Sequence, residues 1–415
     1  MTRPHRCGVP LLITALAACG GGFQSGRPTV GPSAGLAPED RVVLSDFSYI
    51  QAVAASPWLV FAATPHGLLV YDRVARRFKP PVTALDGYPS GRVVRAVVDP
   101  AGNAVWLGLW GGVDYVRYDV DARVWTRGDV PSEQLAGVLT VEAALARAPL
   151  ADALRAAILT DRRLRRHQFT AAAGTPERPE LFFGTDGMGM VRVDRQTGEW
   201  DVLSYGLVAP AVGAVALAAD GVWAAANARP GDRGRRGLTW VAADLSATRP
   251  AEGGGAALGF TFLSARRLLA AANALWLATE QGVLRIDPAS WRSRLFDLPD
   301  ATSLARAPDG AIWVGTSHGL SLVTTDERVL PFAPRGLPVT SLVAVRETLW
   351  VGTSDGLRQL LPGSRDLVMP AGLAVRPSLR GTVRALARLP NTIVMAMDRE
   401  IVWRDASAWR TLPLP

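Results

Sequence analysis

Lysine is almost missing from this 415-residue chain: Lys79 is the only one, so nearly all of the 45 basic residues are arginine. Cysteine is scarce too, with Cys7 and Cys19 both near the N-terminus, and only four histidines occur. No disulfide can therefore staple the body of the chain, and no CxxC or HExxH spacing exists to build a zinc, haem or thiol-redox site. No apolar run approaches the roughly 18 residues that a membrane-spanning helix needs. What remains is ordinary for a globular protein: 48% hydrophobic and 20% charged residues, with 41 Gly and 30 Pro. That composition excludes disorder for most of the chain, and the length provides a large core. The net charge of +8 is a weak pointer to nucleic acid, because an arginine skew of this kind follows genome composition.

The basic charge is also unevenly placed. Arg3 and Arg6 lie in the first residues. Segment 132–167 holds six arginines against four acids, and 227–237 holds four against Asp232. These two segments, through Arg162, Arg163, Arg165, Arg166, Arg233, Arg235 and Arg236, are candidate docking sites for an acidic partner or a lipid surface. Nucleic acid is not expected as a partner.

Arg3 and Arg6 precede an apolar run of ten residues, Val9 to Ala18, which is the pattern of an export signal. The run ends in Leu16-Ala17-Ala18-Cys19, which resembles the bacterial lipobox. That resemblance implies removal of residues 1–18 and lipidation of Cys19. Residues 19–40, rich in Gly, Pro and Ser, then read as a flexible tether between lipid and domain. Gly20 after the cysteine is compatible with sorting to the outer membrane. The expected location is lipid-anchored there, facing the periplasm or the surface.

A repeat fills residues 41–415. Trp313-Val-Gly-Thr-Ser-His-Gly-Leu320 and Trp350-Val-Gly-Thr-Ser-Asp-Gly-Leu357 match closely. Looser copies begin at Phe61, Trp106, Phe182, Trp223, Trp276 and Val394. The spacings between the eight anchors are 45, 76, 41, 53, 37, 37 and 44. A period near 40, with period-2 alternation punctuated by Gly, Asp and Pro, predicts four antiparallel strands per unit and a β-propeller. Eight blades are expected; seven stays open because the last unit is degenerate and such rings often close with strands from both ends. Residues 41–45 (RVVLS) are a candidate closing strand. The long gap holds a predicted helical hairpin, 132–167, broken near Pro149 and inserted between blades two and three. Its apolar positions are Leu135, Leu139, Ala143, Leu154, Ile158 and Leu164. If it serves only as an interface, its deletion leaves the ring folded.

The unit resembles the two-component-regulator propeller repeat of bacterial periplasmic sensor regions. Asp86-Gly87-Tyr88-Pro89 through Asp119, and Arg335-Gly336-Leu337-Pro338 through Leu357, follow that order. The resemblance implies a propeller fold and extracytoplasmic binding. With Pro415 just after the last unit, no kinase or DNA-binding domain is expected.

In such a ring the turns after each second strand surround one mouth of the central channel. His66, Trp110, Asp186, Arg229, Glu280, His318, Asp355 and Arg399 occupy these turns and are the candidate ligand-binding residues for a glycan or peptide. The alternative is that they are turn residues and nothing more. His66 and His318 hold equivalent places, so repeat position accounts for both. No catalytic residue, metal site or cofactor is expected: Gly253-Gly254-Gly255 lies in a linker, not between a strand and a helix. The reading is a non-enzymatic, lipid-anchored envelope propeller. The alternatives are a scaffold subunit of an outer-membrane assembly complex, or a propeller lyase or hydrolase acting on polysaccharide or peptide.

Overall fold

Alternation and turn chemistry produce eight antiparallel sheets, each a meander in which consecutive strands pair. They occupy residues 52–78, 93–128, 169–203, 212–252, 265–296, 301–331, 339–360 and 385–413, and are called sheets one to eight. Among the described residues seven have four strands and sheet seven has three. The computed structural model describes residues 42–415 except 100, 113–114, 131–137, 149–151, 162–163, 228–234, 253–261, 263, 272, 333–335, 374–379, 390–391, 406–407 and 415. The expected signal, Cys19 and the tether lie outside the described residues. Val42–Pro415 is one compact unit, and none of its described helices is long and apolar enough to cross a membrane.

The second strand of each sheet carries the repeat and is covered on both faces. In sheet one, Leu59–Thr64 is buried at every position. Alternate residues then face different neighbours. Ala54, Phe61, Ala63 and Val70 share a core with Val93, Val105 and Leu107 of sheet two. Val53, Val60, Ala62 and Tyr71 share one with Ala173, Phe182 and Met190 of sheet three. Sheet one therefore lies between sheets two and three. The later sheets follow chain order, with shared cores for four and five, five and six, six and seven, and seven and eight. Leu44, Leu207, Ala224, Val241 and Leu245 form a further core at the side of sheet four away from sheet five.

One device joins successive sheets and confirms the unexpected order. The Thr302 hydroxyl of sheet six donates to the Val339 carbonyl at the entry to sheet seven, at 2.6 Å. Thr340 of sheet seven donates to Val383 before sheet eight, also at 2.6 Å. Thr170 of sheet three makes the same 2.6 Å bond to Ile50, before sheet one. The repeat glycine lets the next chain segment approach: a Cβ at Gly352 would meet Val383 Cγ1 at 2.8 Å, and one at Gly184 would meet Ile50 Cγ2 at 2.6 Å. Sheet one thus follows sheet three in space as seven follows six. Gly352→Ala forces this contact apart and is expected to destabilise the protein by about 1–3 kcal/mol, read by urea denaturation.

The insertion forms two short helices, α1 (Val141–Leu145) and α2 (Asp152–Ile158). Thr140 caps α1, its hydroxyl accepting from the Ala143 amide at 3.2 Å. In space the helices are not wedged between sheets two and three. Ala144 and Ile158 pack on Ala172, Leu181, Phe183, Val191 and Val193, the face of sheet three opposite sheet one. Leu139 joins that core partly buried, whereas Leu164 is 82% exposed in a turn with φ of 59°. Leu135 lies outside the described residues, as does the side chain of Leu154. Residues 42–45 form no strand; Ser45 accepts from the Leu207 amide at 2.7 Å and Asp46 bridges Gly206, so this segment joins sheets three and four and closes nothing at sheet eight.

Candidate functional site

The turns that carry the candidate ligand residues share one frame. A buried threonine ends the second strand, and its hydroxyl donates to the carbonyl of a glycine three or four residues on. The distances are 2.8 Å for Thr64 to Gly67, 2.8 Å for Thr185 to Gly189, 2.8 Å for Thr279 to Gly282, 3.1 Å for Thr316 to Gly319 and 2.6 Å for Thr353 to Gly356. The same oxygen accepts an amide from inside the turn: His66, Met188, Gln281, His318 or Asp355, at 2.8–3.2 Å. All five threonines are buried. A constant frame thus presents a different side chain from each sheet.

The candidate residues are engaged separately. His66 and His318 are exposed at their turns. Trp110 is 73% exposed, with the Arg92 guanidinium 5.6 Å from its ring centroid. Asp355 pairs with Arg358 at 2.7 Å, and the Glu280 carboxylate accepts the Ser264 amide at 2.9 Å. Arg399 is exposed, its carbonyl accepting from Leu414. Arg229 lies outside the described residues, as do Arg162, Arg163 and Arg233.

Asp186 belongs to a different constellation, where the insertion meets sheets three and four. Its carboxylate lies 3.1 Å from His167 Nδ1, and Asp161 lies 3.3 Å from Nε2 of the same ring. Arg165 pairs with Asp161 at 2.7 Å and with Glu252, at the end of sheet four, at 2.5 Å. Arg235 pairs with Asp46, donates to the Ser48 hydroxyl at 3.0 Å and lies 3.9 Å from Glu252. Burial alone would raise the Asp161 carboxyl. The Arg165 amide and guanidinium and the His167 ring outweigh it and hold Asp161 below the usual carboxylate range. Burial would likewise lower Arg165, yet Asp161 and Glu252 keep it above its ordinary value. A cleft of about 310 Å³ opens beside this network, lined by Asp161, Arg165, Met188, Arg249, Glu252 and Trp291.

Chemically the network is a latch. Each carboxylate faces a guanidinium or an imidazole, and the pairs tie residues 161–167 to the turn at Asp186 and the edge of sheet four. Arg165 and Arg235, two of the candidate docking arginines, pair with carboxylates of their own chain. Arg166 is exposed beside them, and Arg236 is half-buried. Among the described residues no cluster of His, Cys, Asp and Glu is arranged to hold a metal ion. Sequence reasoning missed His167 as the hub, since Asp186 is 19 residues away and meets it only through the fold.

No family model matches the chain, and no curated protein matches it. Among solved structures it is similar to the extracellular domain of the one component system BT4673 from B. thetaiotaomicron, at 12% identity and a TM-score of 0.36, over 88% of this chain and 60% of that one. It thus spans about three-fifths of that domain's length. It is also similar to the computationally designed Ika8 protein, at 14% identity and a TM-score of 0.35, over 89% of this chain and 98% of that one. BamB from Moraxella catarrhalis aligns at 14% identity and a TM-score of 0.32, over 86% and 97%. At these scores the fold stands on the sheets themselves.

Proposed function

We propose that the chain is a non-enzymatic β-propeller of the bacterial cell envelope, its eight sheets acting as blades, which binds a protein partner or a glycan or peptide ligand. Cys19 would hold it by lipid at the outer membrane, through the tether 19–40, facing the periplasm or the surface. The observation that supports binding is the turn frame: five buried threonines fix five turns alike while their tips differ, from His66 and His318 to Asp355. Rigid loops with varied tips, set on a scaffold of sheets, are a common form of recognition surface.

The test is cross-linking and pull-down of the full chain from its native envelope. A triple variant, His66→Ala, His318→Ala and Asp355→Ala, alters exposed tips only and is expected to lose captured material at unchanged melting temperature. Capture unaffected by the triple variant removes the turns from the reading. Cys19→Ala is expected to move the protein from the membrane to the soluble fraction, and retention in the membrane refutes the anchor.

A further inference from the structure

Arg249 and Arg306 take no part in the ion pairs of the latch, although Arg249 also lines the cleft beside it. Arg249 lies on the outer edge strand of sheet four, Thr248–Glu252, exposed, with its guanidinium 4.5 Å from the centroid of the Trp240 ring. Arg306 ends the first strand of sheet six and is exposed as well. Among the described residues neither forms an ion pair with a carboxylate, whereas Arg165 and Arg235 nearby are both paired. The two free guanidiniums line one groove of about 710 Å³ running across the outer turns of sheets four and five. Its walls are mixed, with Leu217, Ala218 and Pro288 beside Asn273, and Asp220 is the one acid among its described lining residues. Leu217 is 79% exposed there.

We propose that this groove binds an acidic, partly apolar peptide segment of a partner protein. The charge balance asks for carboxylates. Stacking on Trp240 holds the Arg249 fork in place, so less side-chain entropy is lost when it takes a carboxylate in two-point contact. Leu217 and the alanine-proline wall ask for aliphatic side chains between the acids. The volume lies within the range of ligand clefts. Pro250, next to Arg249, interrupts the donor row of the edge strand, so recognition runs through side chains and not through an added strand. A glycan that stacks on an aromatic face is disfavoured at Trp240, because Arg249 occupies that face.

This rests on the binding-protein reading and names a surface for it. The experiment is fluorescence anisotropy of a labelled octapeptide of alternating Glu and Leu against the full chain. Arg249→Ala and Arg306→Ala are each expected to weaken binding about tenfold, with Arg249→Lys between wild type and Arg249→Ala. Both sites are exposed, so unchanged circular dichroism melts certify the fold. A peptide with Gln for Glu should bind at least tenfold more weakly than the Glu peptide. Equal binding by either variant, or by the Gln peptide, overturns the proposal. So does binding of an oligogalacturonate in place of the peptide. If native-envelope capture persists in Arg249→Ala/Arg306→Ala but fails in the turn variant, the groove is wrong and the binding-protein reading stands.

Discussion

Glu180→Leu should destabilise the protein by about 3–5 kcal/mol, measured by urea denaturation. Glu180 begins the second strand of sheet three and meets Arg73, in the last turn of sheet one, at 2.7 Å. The Arg73 side chain is 1% exposed and that of Glu180 17%. Arg73 also donates to the Ser56 carbonyl at 2.6 Å and lies 5.3 Å from the Phe182 ring centroid. Removing the carboxylate leaves a guanidinium sealed between two sheets without its counter-charge. Burial already pulls Arg73 below its ordinary value despite Glu180. The double change Arg73→Met/Glu180→Leu removes both charges and should recover most of the loss. A loss below about 1 kcal/mol for Glu180→Leu would show an exposed pair and refute the abutment of sheets one and three.

Acid should act in the same direction. Burial would raise the Glu180 carboxyl, but Arg73 outweighs it and holds Glu180 below its usual value. A depressed carboxylate contributes stability that is fully present above its unfolded pKa and disappears as pH falls through the folded one. The wild type should therefore lose stability below about pH 4 more steeply than the double variant, in urea titrations at stepped pH.

The second large effect concerns the insertion. An insertion that is only an interface predicts an intact ring when 132–167 is deleted; the packing of the helices on sheet three predicts a loss of stability. α1 and α2 cover Leu181, Phe183, Val191 and Val193, which among the described residues no other sheet covers on that side. Each large apolar side chain returned to water loses about 1.5–3 kcal/mol, so the deletion removes on the order of 5 kcal/mol or more. That is a large part of a domain's typical net stability of about 5–15 kcal/mol. The expected result is aggregation and strong binding of a hydrophobic dye. A soluble deletion protein with a wild-type melt would show that the helices merely cross this face. Ile158→Ala provides a milder measure, with a loss of about 2–4 kcal/mol.

The units of this fold were legible because each is local. Trp350-Val-Gly-Thr and its relatives mark second strands, and the glycine after the threonine marks the turn. Eight anchors gave eight sheets. The spatial order was not legible. Phe61, Phe182 and Trp313 occupy the same position in their sheets, and the faces beside them carry the same Ala, Val and Leu. Nothing in such a face says which sheet it will meet. The site divides the same way. Turn tips such as His66 and His318 followed from register alone, whereas the partners of Arg235 and Arg73 lie 189 and 107 residues away in the chain.

Sheet one, enclosed by sheets two and three, also sets a timetable. Of the eight sheets it is synthesised first, and one of its faces receives sheet two soon afterwards. The other face, with Val53, Val60 and Tyr71, has no cover until sheet three is complete. At a synthesis rate of about 5–20 residues per second, the stretch of 107 residues between Arg73 and Glu180 takes about 5–20 s. Through that interval an apolar face waits for a partner not yet made, so an early arrest of synthesis leaves that face exposed.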